Sequence, residues 1–177
     1  MIQSLSRRFQ TGIAVASVLF AATSACAADQ LDLKVGLKTL PLLTNKLSGS
    51  VTMAVVFDPS VGASKNEADS VVGLVGSGIE APGGVTVTAK AVPVGDLAKG
   101  DAKIAYVTTG LGKSWDAVQQ GASGILTMST DLDCVKANKC ILGIVSQPSV
   151  SIYYSKAAAD AQKISFSDAF AMLSKKF

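Results

Sequence analysis

The side chains able to do chemistry in this chain form a short menu. The 177 residues contain no histidine. Neither a Ser-His-Asp nor a Cys-His arrangement can be assembled, and the commonest zinc ligand is missing. Two cysteines, Cys134 and Cys140, lie close together, but two thiolates without histidine do not complete an ordinary four-ligand zinc site. Asp131 and Asp133 are a close carboxylate pair. They follow an apolar run and fit the start of a short helix, where carboxylates accept from free N–H groups and face the positive end of the dipole. The expectation is no catalytic residue, no metal and no cofactor, so the chain reads as a non-enzyme.

Gly110-Leu111-Gly112-Lys113-Ser114 has the flavour of a phosphate loop between a strand and a helix. That motif needs a glycine five positions before its Gly-Lys pair. Val107 stands there, inside an expected strand. The plainer reading is a loop in which Ser114 caps the following helix.

The cysteines have five residues between them. In an exported protein two cysteines this close usually pair. A continuous helix from 134 to 140 would hold their Cα atoms about 9 Å apart, too far for a disulfide. The chain must turn back, and Asn138 is suited to the left-handed residue that ends a short helix. A Cys134–Cys140 disulfide would then staple this helix to the next strand. A redox-sensitive switch for partner binding is the sharper alternative.

Positioning these residues requires alternating strands and helices. The apolar spacing of residues 31–47 predicts a helix interrupted at Pro41. VTMAVVF, 51–57, reads as a strand buried on both faces. Ser64-Lys65-Asn66-Glu67 has the form of a capping box for a helix over about 65–76. Strands follow at 85–92, 104–107 and 125–128, with one helical turn near 96–98 and a helix starting at Ser114. A short helix covers 131–137. Strands at 140–145 and 150–154 are joined by a turn at 146–149. Ser155 caps a helical stretch through 161, and Ser165 or Ser167 opens a final helix. The pattern predicts a three-layer αβα sandwich, its sheet mainly parallel with an antiparallel C-terminal hairpin.

In such sheets ligands sit beyond the carboxyl ends of the strands. The rim would hold Asp58, Thr108, Thr109, Ser129, Thr130 and Asp131, which could bind a small polar ligand but are also ordinary turn formers and caps. On the final helix, Phe166, Phe170, Leu173 and Phe177 share one stripe. Packing on the sheet explains it, and a docking face for a partner or a second copy is the alternative. Trp115, near a helix start, reads as a core or rim residue or an interface anchor.

Residues 1–27 read as a cleaved secretory signal: Arg7 and Arg8, an apolar stretch over 11–22, then Ala25-Cys26-Ala27. Cleavage would follow Ala27 or Ala28. The apolar run is too short for a transmembrane span of about 20 residues. A lipoprotein signal would lipidate Cys26, but Thr23 stands where leucine is usual. A twin-arginine signal would want an apolar residue where Gln10 stands. Removing 1–27 leaves 14 lysines against 13 carboxylates, a net charge of +1. A nearly neutral chain without arginine is a poor nucleic-acid binder. Residues 28–177 suit one domain, expected in the periplasm with no membrane span after signal removal.

From Leu37 to Phe177 the chain resembles the YfiR/HmsC-like family of small periplasmic proteins. The resemblance rests on LKTLPLL leading into VTMAVVFDP, on YVTTGL, and on GILTMS followed by a cysteine-bearing segment and the LGI strand. The ending SVSIYYSKAAADAQKISFSDAFAML is its most specific part: an extended strand, a small-residue helix and a serine-rich helix start. The first helix lacks the family's aromatic-rich run, so no partner-contact residue is carried over. The resemblance implies a non-enzymatic brake on an inner-membrane diguanylate cyclase, acting by protein contact, with an inner-membrane signalling protein as partner; a homodimer is a further option, from the end-helix stripe. The alternative is a small single-lobe solute-binding protein associated with an ABC-type transporter. One domain supplies only one of the two lobes such receptors use.

Overall fold

A computed structural model describes residues 28–177. The expected signal, 1–27, lies outside the described residues. The sheet has eight strands: β1 Gly49–Phe57, β2 Ile79–Ala81, β3 Val85–Pro93, β4 Ile104–Val107, β5 Leu126–Ser129, β6 Leu142–Val145, β7 Ser151–Tyr154 and β8 Lys175–Lys176. Their spatial order is β2-β3-β1-β4-β5-β6-β7-β8. β3, β1, β4, β5 and β6 run parallel. β7 turns back antiparallel on β6, as the hairpin signal predicts. The helices are α1 Gln30–Leu37, α2 Gly62–Val75, α3 Trp115–Gly121, α4 Leu132–Lys136, α5 Lys156–Ala161 and α6 Asp168–Leu173.

Strand side chains alternate between two cores, because successive Cβ atoms point to opposite faces. Met53, Val55, Ile104 and Tyr106 pack with α1, α2 and α5 on one face. Ala54, Val56, Ala105 and Val107 pack with Leu97, α3 and α4 on the other. This makes the αβα sandwich, and it explains why 53–57 is apolar without a break. Each large aliphatic side chain buried here contributes about 2 kcal/mol.

Several local expectations are corrected. Residues 31–47 are not one helix. α1 ends at Leu37, Leu40–Leu42 form a 3₁₀ turn around Pro41, and Leu43 is extended and bridges to Phe166. Proline has no N–H to continue the helical ladder. The capping box is at Asp29 and Asp32, each carboxylate accepting from the other's backbone N–H. It is not at Ser64, since α2 starts at Gly62 with no side-chain cap. Two edge strands, β2 and β8, were not expected. They have three and two residues, too few to leave a period in the sequence.

Candidate functional site

The chain runs from β1 to β3 on one side, then crosses back to β4 on the other. The carboxyl ends of β1 and β4 are therefore the topological switch point, where open α/β sheets bind ligands. The loops leaving these strands start at Asp58 and Thr108, and their side chains are bonded to each other. The Ser114 hydroxyl donates to Asp58 Oδ2 at 2.6 Å. The Asp58 N–H donates to Ser64 Oγ at 3.0 Å, Ser64 Oγ lies 2.7 Å from Thr108 Oγ1, and Thr108 Oγ1 donates to the Val56 carbonyl at 2.9 Å. Since the Thr108 proton is committed to Val56, Ser64 is the donor in the middle bond. The result is a continuous chain from one loop through α2 to the other strand.

The next strand pair repeats the device. Ser129 Oγ donates to the Val107 carbonyl at 2.7 Å and accepts the Asp131 N–H at 2.9 Å. Thr108 and Ser129 thus each satisfy a carbonyl at the end of the neighbouring strand. Buried backbone groups need such partners.

Glu67 is the centre of the rim and was not foreseen as such. It is 5% exposed, on α2. One carboxylate oxygen accepts from Tyr106 Oη at 2.9 Å. The other accepts the Thr109 N–H at 2.8 Å and the Thr109 hydroxyl. Thr130 Oγ1 lies 3.0 Å from Tyr106 Oη and, by the same proton accounting, donates to it. Burial first, and then the Glu67 carboxylate, push the Tyr106 phenol well above its ordinary value, so it stays a donor. Hydrogen bonds from Ser114, then Ser60, hold the Asp58 carboxyl below the usual carboxylate range.

All six rim residues expected from the sequence thus lie at the carboxyl ends of β1, β4 and β5. The structure adds Ser64, Glu67, Tyr106 and Ser114 to them. The Ser64-x-x-Glu67 spacing was a real signal, but these side chains bond across the fold instead of capping their own helix. Ser114 is corrected in the same way. It precedes α3 without a side-chain cap bond, its hydroxyl being spent on Asp58. Asp131 does cap α4, accepting the Asp133 N–H at 3.0 Å. Beside the rim, a cavity of ≈ 400 Å³ opens between the start of α1 and the ends of β5 and β6, with Asp29, Asp32, Thr130 and Ser146 among its lining. The arrangement can hold two loops together, and Ser114 faces a carboxylate with no imidazole to activate it. Among the described residues no group of three or more His, Cys, Asp or Glu side chains is placed to hold a metal.

Cys134 and Cys140 form a disulfide with Cα atoms 5.3 Å apart. The reversal runs through Asn138, which is left-handed at φ 58°. Asn138 N–H bonds Val135 O, and Lys139 N–H bonds Cys134 O. This is the paired ending of a helix closed by a left-handed residue. Both cysteines are fully buried. α4 sits close on β6, because a Cβ at Gly143 would lie 2.6 Å from Leu132.

The aromatic stripe is corrected. α6 ends at Leu173, and the chain then extends to pair with β7. Phe166 precedes the helix and stacks on Phe170 with ring centroids 4.0 Å apart, and Tyr154 meets both edge-on. Phe170 is buried, Leu173 faces solvent, and Phe177 stacks on Tyr153. The four side chains therefore do not share one helix face. Trp115 is half-buried at the start of α3 and packs against the core that contains the disulfide.

Compared with known proteins, the chain matches no family model and no curated sequence.

Proposed function

We propose that this protein is an exported, non-enzymatic regulator that acts by contact with an inner-membrane signalling protein, in the manner of YfiR-type repressors of diguanylate cyclases. The observation that carries this reading is the exposure of apolar side chains on the terminal segment. Among the described residues, six large hydrophobic side chains are exposed, and Met172, Leu173 and Phe177 are three of them. Met172 is 91% exposed. Burial in this chain does not explain such a residue, and exposed apolar surface of this kind suits a partner. The same segment, with α5 and β7, carries the family resemblance. The buried disulfide is compatible with export, and no described helix is long and apolar enough to cross a membrane. The solute-receptor alternative would draw on the cavity beside Thr130. Its Asp29 and Asp32 carboxylates already accept bonds from this chain.

The test is in-cell photocrosslinking from position 172 in the full chain, with N-terminal sequencing of the processed protein. The expected result is a mature start at Ala28 or Asp29 and an adduct with an inner-membrane protein bearing a cyclase. Met172→Asp should lose the adduct with an unchanged melting temperature. No adduct, together with unchanged cyclic-di-GMP on deletion, would defeat the reading.

A further inference from the structure

The opposite end of the sheet has a different character. Where the chain approaches β1, β4 and β5, Lys46, Lys103 and Lys163 line one cavity of ≈ 260 Å³. Of the other eleven lysines, six pair with carboxylates, at Asp69, Asp101, Asp96, Asp133, Asp116 and Asp160, and the remaining five (Lys34, Lys38, Lys113, Lys175 and Lys176) do not line this cavity. The three that line it have no carboxylate partner among the described residues, and residues 1–27 contain no Asp or Glu. The Asp101 carboxyl is held below its usual range first by its own backbone N–H and then by Lys90, with Lys103 the smallest contribution, and Lys103 forms no ion pair with it. No carboxylate lines the cavity. Its apolar wall is Leu43, Leu47, Leu126 and Ile164, all packed into the core beneath.

Lys163 adds an independent observation. It closes α5 as Asn138 closes α4: Lys163 N–H bonds Asp160 O, and Ile164 N–H bonds Ala159 O. It is left-handed at φ 58°. Glycine is the comfortable residue there, because a Cβ crowds the carbonyl oxygen, and asparagine is tolerated because its short amide can bond locally. A lysine is strained at this position, and it lines the same cavity as Lys46 and Lys103. Strain of this kind points toward a use for the side chain.

The geometry points to a binding site for a small amphiphilic anion, its carboxylate or phosphate head held by Lys46, Lys103 and Lys163 and a short apolar tail laid on the leucine wall. Three like charges around one concave site attract an anion and repel one another without it. The cavity is slightly smaller than the usual range for small-molecule sites, which suits a tail of a few carbons. The inference goes beyond the regulatory reading and holds whether or not a membrane partner exists.

The experiment measures the melting temperature and calorimetric binding of the signal-free protein with octanoate, octylammonium, inorganic phosphate and phosphatidylglycerol vesicles. The variants are Lys163→Gly, the triple Lys46→Gln/Lys103→Gln/Lys163→Gly, and the control Lys65→Gln/Lys136→Gln. Octanoate should bind and raise the melting temperature, phosphate should bind more weakly, and octylammonium should do neither. The triple variant should lose about tenfold or more in octanoate affinity, while the control keeps it. Lys163→Gly alone should melt at or above the wild type yet bind octanoate roughly threefold more weakly, which separates binding from folding if the triple variant fails to fold. Equal response to octylammonium, full octanoate binding by the lysine variants, or phosphate binding as tightly as octanoate would overturn the site. Lysine-dependent capture by vesicles with no response to octanoate would overturn it as well, in favour of a membrane surface.

Discussion

The two ends of the sheet are built from opposite charges, and they treat those charges differently. At the carboxyl ends of the strands, Asp58, Glu67 and Asp131 each accept hydrogen bonds from the chain itself. At the amino ends, Lys46, Lys103 and Lys163 share a cavity and pair with no carboxylate among the described residues. The switch point is where general experience of α/β sheets places a ligand. Here its hydroxyls and carboxylates are bonded to one another, whereas at the lysine end three lysines unpaired among the described residues gather around one cavity. Position in a fold type is thus a weaker guide than asking of each polar group where its partner is.

The largest predicted effect tests the bonded end. Glu67→Ala would leave the Thr109 N–H and hydroxyl without an acceptor and remove one from Tyr106. At about 1–3 kcal/mol for each buried group left unsatisfied, the loss should be about 3 kcal/mol in urea denaturation. A loss under about 0.5 kcal/mol would show that water replaces the carboxylate freely, and that this end is more open than described.

Next comes the staple beside it. Replacing Cys134 and Cys140 by serine should cost about 2 kcal/mol, the chain-entropy value for so short a loop. The rim hydrogen bonds should survive, since none of them involves the cysteines. If breaking the disulfide instead abolished capture of a membrane partner with little change in stability, a redox switch would replace the staple.

The lysine end should respond with the opposite sign. Lys163→Gly removes a left-handed non-glycine residue and one of three like charges, so stability should rise by about 1 kcal/mol. Denaturation at low salt reads this best, because screening weakens the charge contribution. A clear loss of stability would mean that Lys163 makes a structural contact at this end.

The smallest effect is in pH. Asp58 is held below the usual carboxylate range by Ser114 and Ser60. A depressed folded value stabilises the protein above the unfolded value and loses that contribution as the pH falls through the folded one. The melting-temperature gap between wild type and Asp58→Asn should therefore be full above about pH 5 and close as the pH drops below about 4. A gap that widens on acidification would contradict the assignment.

Much of the fold was legible because it rests on long periods. The run 53–57 is apolar on both faces because α2 covers one side of β1 and Leu97 packs on the other. Asn138 was legible because so short a disulfide loop demands a reversal. β2 and β8 were not, being too short to show a period. The Ser64-x-x-Glu67 pattern misled because the same spacing serves a local cap or a tertiary bond, and only the position of Thr108 and Tyr106 decides between them. The rim residues could be placed from strand ends alone, but Glu67 sits inside a helix, where sequence does not say that its carboxylate turns toward β4. The three lysines are far apart in the chain and meet only through the strand order.

The contrast between the two ends is tested most directly by mapping backbone amide shifts during an octanoate titration. The shifts should gather at 45–47, 103, 124–126 and 163–165 and leave 58–67 and 108–114 unmoved. Shifts centred on Thr108 to Ser114 would contradict this expectation, showing that the switch-point rim, and not the lysine end, is where this fold receives its ligand.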